Sequence, residues 1–380
     1  MASKPTALIV GAGIAGLSAA WWLDKAGWNS ILIEKAPDIR DGGYLIGLSG
    51  PCLGTIKDMN LEAQVDDISY KLGHNLILDN QGRKLLRVAY DDLNRGLGNY
   101  ALCRGDLARV LYDTLPETAT IRYDETLEHA IEAGDKIQAT LKSGQKIEVD
   151  LLIGADGIRS SVRSQFWKDE DCMENTGYFY AVYDVEQKEK LEDDCVSFNS
   201  PGHFDIFYSL RDNRLSALHI WREDERDVTL QSRQGRFETL RATTARAAKQ
   251  VTDVVDFAEE TDTTIIIDSL TMVSLKQWSK GRVLLLGDAA HCLTLMSAQG
   301  AGMALTSAEI LGKELMSSKD LFQALANHEK KLRPIIERLQ QRTRNIAVLY
   351  IPRNWLLYCL RNLMFKIMPY SWIVYWHRHA

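Results

Sequence analysis

The most regular feature of this chain is a set of short, continuous apolar runs, each followed by glycine or an acidic residue. These runs cover residues 7–10, 31–33, 151–153 and 283–286. Runs of this length with such boundaries are typical of strands buried on both faces of a parallel sheet. Residues 15–26, between the first two runs, have apolar residues at helical spacing. The pattern therefore predicts an α/β fold built on a parallel sheet.

The first apolar run leads directly into the sequence Gly-Ala-Gly-Ile-Ala-Gly at residues 11–16. In such a strand, turn and helix, Gly11 permits the tight turn, and Gly13 lets backbone amides approach a phosphate group. Gly16 lets the helix pack closely against the strand. A diphosphate would then lie at the positive N-terminus of the helix. The motif predicts a dinucleotide site.

The second apolar run ends at Glu34. A carboxylate at this position can accept hydrogen bonds from ribose hydroxyls and would repel a 2′-phosphate. FAD or NAD therefore fits this sequence better than NADP as the tightly bound nucleotide.

Two further motifs follow the later runs. Gly-Ala-Asp-Gly occupies residues 154–157, Gly-Asp-Ala-Ala-His occupies residues 287–291, and Gln299-Gly-Ala-Gly302 opens another helix. Asp156 and Asp288 would both lie at the carboxyl edge of the parallel sheet, where ligands bind in such folds. The three motifs together predict a flavin site.

This set of motifs, in this order and spacing, resembles the group A FAD-dependent monooxygenases, the superfamily of para-hydroxybenzoate hydroxylase. The motifs extend from residue 11 to residue 302, which is most of the chain. The resemblance implies a Rossmann-like FAD-binding domain with an inserted antiparallel-sheet substrate domain and C-terminal helices. The FAD-binding domain is expected at residues 1–70, 98–167 and 276–318, the substrate domain at residues 71–97 and 168–275, and the C-terminal helices at residues 319–380.

The residue pattern agrees with such an insertion. Residues 168–275 contain extended, aromatic-rich segments separated by Gly, Asn and Asp, which is typical of antiparallel strands. Residues 71–97 contain a Gln81-Gly82 turn and resemble a hairpin that joins the same sheet.

The resemblance also implies which residues contact the cofactor. Asp288 would hydrogen-bond the ribityl or ribose, and residues 300–302 would offer amides to the pyrimidine edge of the flavin ring. Arg104 would contact the cofactor from the start of a helix, and Leu127 would meet the adenine. Asp156 is expected either to touch a ligand or to be structural. The full predicted set is Gly11, Gly13, Ala15, Gly16, Glu34, Lys35, Arg40, Gly43, Arg104, Leu127, Asp156, Gly287, Asp288, Gly300, Ala301 and Gly302.

The chain departs from the family pattern after His291. Leu293, Leu295 and Ala298 stand where relatives usually have prolines and a glycine. The loss of proline relaxes a turn, and a Cβ at residue 298 must be accommodated beside the flavin. Arg40, Gly42, Gly43 and Tyr44 are the candidates for a contact that moves with the flavin.

Strand alternation predicts that His219 and Trp221 share one face, as do Phe207 and Ser209 on their own strand. The segment from Ala217 to Trp221 resembles the tetracycline-inactivating flavin monooxygenases. His219, Trp221 and Phe207 are therefore expected to bind substrate, with a structural role for His219 as the alternative.

The mechanism that the resemblance implies uses FAD, with NADPH or NADH as a transient reductant, and molecular oxygen. A C4a-hydroperoxyflavin would hydroxylate an aromatic or polycyclic small molecule, with tetracycline antibiotics as the sharpest candidate. Because the flavin performs the chemistry, no side chain is predicted to be catalytic and no metal site is predicted. The alternatives are a flavin-dependent reductase, dehydrogenase or halogenase on the same scaffold, or a flavin-binding membrane-associated sensor.

Composition narrows the remaining possibilities. A net charge of −6 without a basic stripe argues against nucleic-acid binding. The six cysteines lack metal-binding spacing and suit a reducing compartment, and Cys292 is expected to be a packing residue. No signal peptide precedes the first strand, so we expect a cytoplasmic protein, either a monomer or a weak dimer.

Residues 351–380 form a separate basic segment without acidic residues. Trp355, Leu356, Leu360, Leu363 and Ile367 recur at helical spacing among Arg353, Arg361, Lys366 and Arg378. Three interpretations remain open: a helix packed across the substrate domain, contact with a membrane surface, or a dimer contact.

Overall fold

The structure is a computed structural model, which describes residues 4–39, 44–93, 99–168, 171–189, 191–223 and 232–379. Its strands in chain order are β1 (Thr6–Val10), β2 (Asn29–Ile33), β3 (Leu45–Leu48), β4 (His74–Leu78), β5 (Lys84–Ala89), β6 (Tyr100–Cys103), β7 (Ala119–Arg122), β8 (Leu127–Ala133), β9 (Lys136–Leu141), β10 (Lys146–Val149), β11 (Leu151–Gly154), β12 (Met173–Glu186), β13 (Cys195–Ser200), β14 (His203–Leu210), β15 (Arg214–Arg222), β16 (Ile266–Val273), β17 (Ser279–Lys280) and β18 (Val283–Leu285).

The helices are α1 (Ile14–Lys25), α2 (Cys52–Asp58), α3 (Glu62–Ile68), α4 (Tyr90–Leu93), α5 (Arg104–Asp113), α6 (Ser161–Phe166), α7 (Arg233–Thr244), α8 (Lys249–Glu260), α9 (Asp288–His291), α10 (Gly300–Ser317), α11 (Leu321–Tyr350), α12 (Trp355–Ile367) and α13 (Tyr370–His379). A short 3-10 helix covers Leu295–Ser297.

The predicted parallel sheet is present, and the α/β fold class is confirmed. Its six strands have the order β17-β18-β11-β1-β2-β7. β1 pairs in parallel with β2 and β11, and β11 pairs in parallel with β18. The three glycine-containing motifs follow β1, β11 and β18, which are neighbours in this sheet. Their ends therefore meet at one edge.

A second sheet of seven strands has the order β16-β12-β15-β14-β13-β4-β5. Most of its neighbours are antiparallel, as predicted for this part of the chain. The hairpin β4–β5 joins the sheet through a parallel pairing of β4 with β13, which agrees with the predicted hairpin. The domain boundaries drawn from the sequence stay a prediction.

The two faces of the seven-stranded sheet have different partners. One face packs against α7 and α8 through a cluster that includes Phe179, Tyr183 and Phe237. These two helices were not predicted, because the aromatic-rich segments of residues 168–275 indicated only strands. The opposite face carries Tyr178, Tyr180, Tyr208, Leu218 and Ile220 and packs against the 3-10 helix and the end of α11. We call this opposite side the tyrosine face.

The predicted C-terminal helices are present. α10 packs on α1, where a Cβ at Gly312 would come within 2.7 Å of the Cβ of Trp22. α11 continues for 30 residues with Pro334 inside it, and α12 and α13 follow. Within the described part of the chain, no helix is long and apolar enough to cross a membrane.

His219, His291 and His328 are buried histidines of the described chain. His291 packs against Trp278, with ring centroids 4.9 Å apart. The Nε2 of His328 lies 3.0 Å from the hydroxyl of Ser307. Burial and the nearby His328 lower the pKa of His291 to about 3, and burial lowers the pKa of His328 to about 4. Burial also lowers the pKa of His219.

The lowered pKa values of these histidines predict that the free energy of unfolding falls in acid. Their folded-state pKa values lie below the unfolded value of about 6.5, so the unfolded chain binds protons first on acidification. Their contribution to stability is full above about pH 6.5. It is lost as the pH falls towards the folded-state values, about 4 for His328 and about 3 for His291. Each histidine can contribute about 1.4 kcal/mol per pH unit in that range. Urea unfolding measured between pH 7 and pH 5 should show the decline.

The matched variants are His328→Gln, which keeps an amide near Ser307, and His129→Gln at an exposed position of β8. His328→Gln should make the dependence of unfolding free energy on pH less steep, and His129→Gln should leave it unchanged. An equal slope in all three proteins would contradict the assignment.

Candidate cofactor and substrate site

The turn after β1 has the geometry that a diphosphate requires. A Cβ at Gly16 would overlap the carbonyl oxygen of Gly11, so only glycine lets α1 begin this close to β1. A Cβ at Gly13, in contrast, would meet no atom of the described residues within 4 Å. The residue before α1 makes no side-chain capping hydrogen bond. The first amides of α1 therefore point towards open space of the kind that a phosphate fills.

Glu34 lies directly beside this turn. Its Oε2 accepts a hydrogen bond from the amide of Ala12, and its Oε1 accepts one from the amide of Ala36, both at 3.0 Å. The amide of Glu125 donates to the carbonyl of Glu34 at 3.0 Å. This bond brings the start of β8, at Leu127, towards the same edge. The geometry suits the predicted ribose and adenine contacts.

For four of the residues predicted near the cofactor, the described part of the structure gives no contact with the site. Lys35 is exposed just after Glu34. Arg40 and Gly43 lie outside the described residues, as does Gly42. Tyr44 is the first described residue after that gap.

Asp156 mainly stabilises its own loop. Its Oδ2 accepts hydrogen bonds from the amide of Ser161 at 2.6 Å and from the hydroxyl of the same residue at 2.9 Å. Its Oδ1 is buried and has no hydrogen-bond partner in the described ranges. The structural part of its predicted role is present, and Oδ1 is the atom that remains for a ligand.

The second and third motifs are joined by hydrogen bonds. The amide of Leu286 donates to the carbonyl of Gly154 at 2.9 Å. Arg163, which is buried, donates through Nη1 to the carbonyl of Ala289 at 3.0 Å. The two motifs therefore form one rigid edge.

Close packing brings Asp288 to the first motif. Gly287 has a φ of 59°, and a Cβ at this residue would come within 3.0 Å of the Cβ of Ala15. These two small residues let α9, which begins at Asp288, approach α1. The Oδ1 of Asp288 lies 3.9 Å from the Cβ position of Gly300. One carboxylate thus lies between the N-termini of α1 and α10.

The N-terminus of α10 forms the other end of the site. Gly300, Ala301 and Gly302 make its first turn, and Gln299 before them makes no side-chain capping hydrogen bond to it. A Cβ at Gly302 would come within 2.9 Å of the Sγ of Cys52, so α10 also packs closely on α2. The positive end of this 18-residue helix can stabilise negative charge on a reduced flavin ring.

A cluster of polar side chains borders the same space. The amide of Arg104 donates to the carbonyl of Tyr44 at 3.2 Å. Burial raises the pKa of Tyr44, the Arg104 guanidinium opposes this rise, and Asp288 and Cys292 add to it. Arg104, Asp288 and Cys292 therefore each lie within electrostatic reach of Tyr44. The predicted contact of Arg104 with the cofactor stays a prediction.

Cys292 is a buried packing residue, in agreement with its predicted role. Burial raises the pKa of its thiol well above the ordinary value, and Asp288 adds to the rise. A protonated thiol is a poor nucleophile.

Tyr180 connects the tyrosine face to this cluster. Burial raises the pKa of Tyr180, and Tyr44 and Arg104 are among the groups that act on it electrostatically. Leu295 and Met296 of the 3-10 helix also pack against the tyrosine face. The tyrosine face, rather than the opposite one, therefore lies over the predicted flavin site.

The structure does not bring His219, Trp221 and Phe207, the predicted substrate contacts, to the tyrosine face. All three are buried on the face covered by α7 and α8. The ring of Phe207 packs edge-on against His219, with centroids 6.0 Å apart. Alternation correctly predicted that His219 and Trp221 share a face. It could not tell which face is turned to the flavin, because that depends on the unpredicted helices.

His219 instead belongs to a buried polar network. Its Nδ1 lies 2.6 Å from Oδ1 of Asp205, and its Nε2 lies 2.9 Å from the hydroxyl of Tyr183. Burial alone would raise the pKa of Asp205, but His203 and His219 lower it to about 2. The ionised Asp205 accepts from Nδ1 of a neutral His219, so Tyr183 donates to Nε2. This is the structural role that was the alternative for His219.

The residues of the tyrosine face were not among the substrate contacts predicted from the sequence. Tyr178 and Tyr180 alternate on β12, and Tyr208 lies on β14. The sequence signal for these tyrosines is the alternation of aromatic residues along the strands. It defines two faces, and the predicted substrate contacts were taken from the other face.

Sequence comparisons agree with the geometry. The family described as "FAD binding domain" matches residues 4–339. A flavin-dependent monooxygenase of Legionella longbeachae is 24% identical over 350 residues, covering 88% of this chain and 86% of the relative. A 2-heptyl-3-hydroxy-4(1H)-quinolone synthase of Pseudomonas aeruginosa is 30% identical over 322 residues, covering 81% of this chain and 80% of the relative.

Solved structures share the fold. The tetracycline destructase Tet(55) superimposes with a TM-score of 0.84 at 24% identity, covering 100% of this chain and 98% of its own. Klebsiella pneumoniae HpxO, crystallised with FAD and uric acid, superimposes with a TM-score of 0.85 at 20% identity, covering 99% of this chain and 96% of its own.

Two glycines of the first motif should respond differently to an added methyl group. Gly13→Ala should leave the unfolding temperature of the flavin-free protein nearly unchanged and weaken FAD binding, because its Cβ would enter the open space above α1. Gly16→Ala should destabilise the protein itself by about 2 kcal/mol or more, because its Cβ would overlap the carbonyl of Gly11. Thermal unfolding of the flavin-free proteins and flavin titration measure the two effects. Tight FAD binding by Gly13→Ala would rule out a phosphate at this turn.

The substitution Ala298→Gly should stabilise the protein. Ala298 has a φ of 51°, in the left-handed region, which costs an alanine about 1 kcal/mol relative to glycine. Chemical unfolding should therefore show a gain of about that size. The matched variant Ala304→Gly, inside α10, should lose about 1 kcal/mol or more. Losses in both variants would show that the turn before α10 carries no such strain.

Proposed function

The chain belongs to the FAD-binding-domain family of flavin-dependent monooxygenases, and from this premise we propose that it hydroxylates a largely apolar aromatic or polycyclic small molecule. We propose NADH or NADPH as the reductant. The observation that carries the substrate class is the tyrosine face, which lies over the predicted flavin position and consists of phenol rings and aliphatic side chains.

The neutral side chains at the tyrosine face support the proposal of an uncharged substrate. Tyr90 and Tyr350 pack against it beside Tyr208, and burial raises the pKa of all three phenols. They therefore stay neutral near pH 7. Such a surface favours apolar rings and offers hydroxyl groups to a substrate oxygen.

Charged and amide groups border this surface rather than fill it. Arg104 acts electrostatically on Tyr180 and lowers its pKa against the effect of burial. Asp268 is paired with Arg159, with 2.7 Å between Oδ1 and Nη2. The carboxamide oxygen of Asn75 accepts a hydrogen bond from the hydroxyl of Ser197 at 2.8 Å. These groups can orient a substrate by its polar edge while the rings exclude water.

FAD fits the residues that surround the site, and it supplies the activation of oxygen once it is reduced. The chain's own contribution is placement. The N-termini of α1 and α10, with Glu34 and Asp288, would hold the cofactor between them. The protonated hydroxyl of Tyr180 lies within electrostatic reach of Tyr44 and Arg104, and it can hold a substrate oxygen over the ring.

Among possible substrates, we favour a flat heterocycle such as an alkylquinolone over a tetracycline. The sequence feature that pointed to tetracyclines was His219, which lies on the opposite face of the sheet. The relative named as a quinolone synthase is 30% identical, and HpxO was crystallised with uric acid, another flat heterocycle. Tetracyclines remain in the test because Tet(55) shares the fold.

The test is oxygen uptake and NAD(P)H oxidation by the purified yellow protein, with and without each compound. The panel contains 2-heptyl-4-quinolone, simple phenols and tetracycline, and mass spectrometry follows the organic product. Substrate-stimulated oxidation with a gain of one oxygen atom would support the proposal. Oxidation that yields only hydrogen peroxide with every compound would favour the reductase alternative.

Two tyrosines of β12 offer a matched pair of variants. Tyr180→Phe should lower kcat/KM for the productive substrate about threefold to tenfold, because one neutral hydrogen bond is lost, and should retain FAD. Tyr183→Phe removes the bond to His219 on the opposite face. It should cost about 1 kcal/mol of stability with kcat/KM unchanged. A fall in kcat/KM for Tyr183→Phe alone would contradict the assignment of the two faces.

A further inference from the structure

α12 is amphipathic, but its polar side is the side that packs on the protein. Tyr358 and Arg361 are buried. The amide of Asn80 donates to the hydroxyl of Tyr358 at 3.1 Å, and that hydroxyl donates to the carbonyl of Asn199 at 3.1 Å. Arg361 donates through Nη1 to Oδ1 of Asn199 at 2.6 Å. Polar contacts with β13 and with the turn between β4 and β5 thus fix the orientation of the helix.

The apolar side of α12 is consequently turned to the outside. Leu356 is 76% exposed and Ile367 is 71% exposed, although such side chains are usually buried. Residues three and four positions apart share one side of a helix, so the row is continuous. We define the α12 apolar row as Trp355, Leu356, Leu360, Leu363 and Ile367, all of which are more than half exposed.

Of the three interpretations of residues 351–380, packing across the substrate domain is present only in part. α12 does pack on the seven-stranded sheet, but through Tyr358 and Arg361 rather than through the α12 apolar row. The row therefore lies mostly outside the folded core of the described chain, with the ring of Trp355 packed against Tyr358 at 5.2 Å between centroids. α13 is held in a similar way, since the hydroxyl of Tyr370 donates to Oδ2 of Asp92 at 2.6 Å. Trp372 and Tyr375 of α13 are also mostly exposed.

The charged side chains within residues 351–380, the segment that contains α12, are all of one sign. Residues 351–380 contain arginine and lysine but no aspartate or glutamate, in a chain with a net charge of −6. Arg353 and Lys366 are exposed at the two ends of α12. A basic segment concentrated on one side of an acidic protein complements an anionic surface. Two copies meeting through α12 would instead bring like charges together.

The side-chain types also match a lipid interface. Tryptophan and tyrosine prefer the boundary between headgroups and acyl chains, and leucine and isoleucine prefer the acyl side. α12 has 13 residues, which is about 20 Å of helix. A helix of this length can lie in the interface plane.

We propose that α12 docks the protein on the surface of an anionic lipid bilayer. The α12 apolar row enters the boundary between headgroups and acyl chains, and Arg353 and Lys366 contact the headgroups. The polar contacts of Tyr358 and Arg361 keep the helix attached to the protein while its outer side binds lipid. This interaction does not depend on the proposed substrate or on the oxygenation reaction.

The test is co-sedimentation of the full-length, flavin-containing protein with sucrose-loaded vesicles. One set of vesicles contains phosphatidylcholine alone, and the other contains phosphatidylcholine with phosphatidylglycerol. The wild-type protein should sediment with the anionic vesicles, bind the neutral vesicles at least about tenfold more weakly, and dissociate as salt is added. Neither substrate nor NAD(P)H is present, so failure of the proposed function would not affect the result.

Two double variants separate the apolar and charged contributions. Leu356→Ser with Leu360→Ser should reduce vesicle binding at least about tenfold, because two exposed side chains lose their lipid contact. The control, Met316→Ser with Ile131→Ser, removes two exposed apolar side chains elsewhere and should bind like the wild type. Arg353→Gln with Lys366→Gln should weaken binding to anionic vesicles and its salt dependence. The control for charge, Lys57→Gln with Lys319→Gln, alters two other exposed lysines and should not.

Visible flavin absorbance and the unfolding temperature check that every variant remains folded, since all the altered side chains are exposed. No sedimentation of the wild type with anionic vesicles at low salt would overturn the proposal, and so would equal binding by the Leu356→Ser, Leu360→Ser variant. Light scattering without lipid tests whether a second copy of the chain, rather than lipid, covers the α12 apolar row. A dimer that this variant converts to a monomer, without vesicle binding, would assign the α12 apolar row to a second copy of the chain and also overturn the proposal.

Discussion

The close approach of Gly16 to the carbonyl of Gly11 is the contact on which the site depends. It fixes α1 against the end of β1, which aims the uncapped helix N-terminus at the space above Gly13. A second close approach, between Ala15 and Gly287, then brings Asp288 to that helix. Hydrogen bonds from Leu286 and Arg163 join the remaining motif to the same edge. Small side chains therefore assemble one cofactor site from segments far apart in sequence.

The two faces of the seven-stranded sheet have different roles, one structural and one in the proposed site. α7 and α8 cover the face that contains Asp205, His219 and Tyr183, where a buried polar network is closed off from water. The tyrosine face remains for the flavin and the substrate that we propose. A buried hydrogen-bonded network of this kind gives the sheet a defined geometry. That geometry in turn holds Tyr180 near Tyr44 and Arg104.

The cofactor half of the site was predictable from the sequence because its physics is local. Tight turns, an acid after β2 and continuous apolar runs each leave a signal within a few residues, and the parallel sheet formed as those signals indicated. The substrate half was not predictable in this way. Alternation grouped His219 with Trp221 correctly, but only the packing of α7 and α8 selects the buried face. Likewise, the spacing of Leu356 and Ile367 predicted an amphipathic α12 without showing that polar contacts turn its apolar side outward.

The most direct test of the central claim, that the three motifs form one FAD site, is the flavin content of Asp288→Ala. Loss of this carboxylate should leave the protein folded and weaken FAD binding about tenfold to a hundredfold, the effect of one lost hydrogen bond to a charged group. Asp113→Ala, at the exposed end of α5, should keep its flavin. Weakened binding in Asp288→Ala alone would support the account. Full retention of flavin by Asp288→Ala would contradict it.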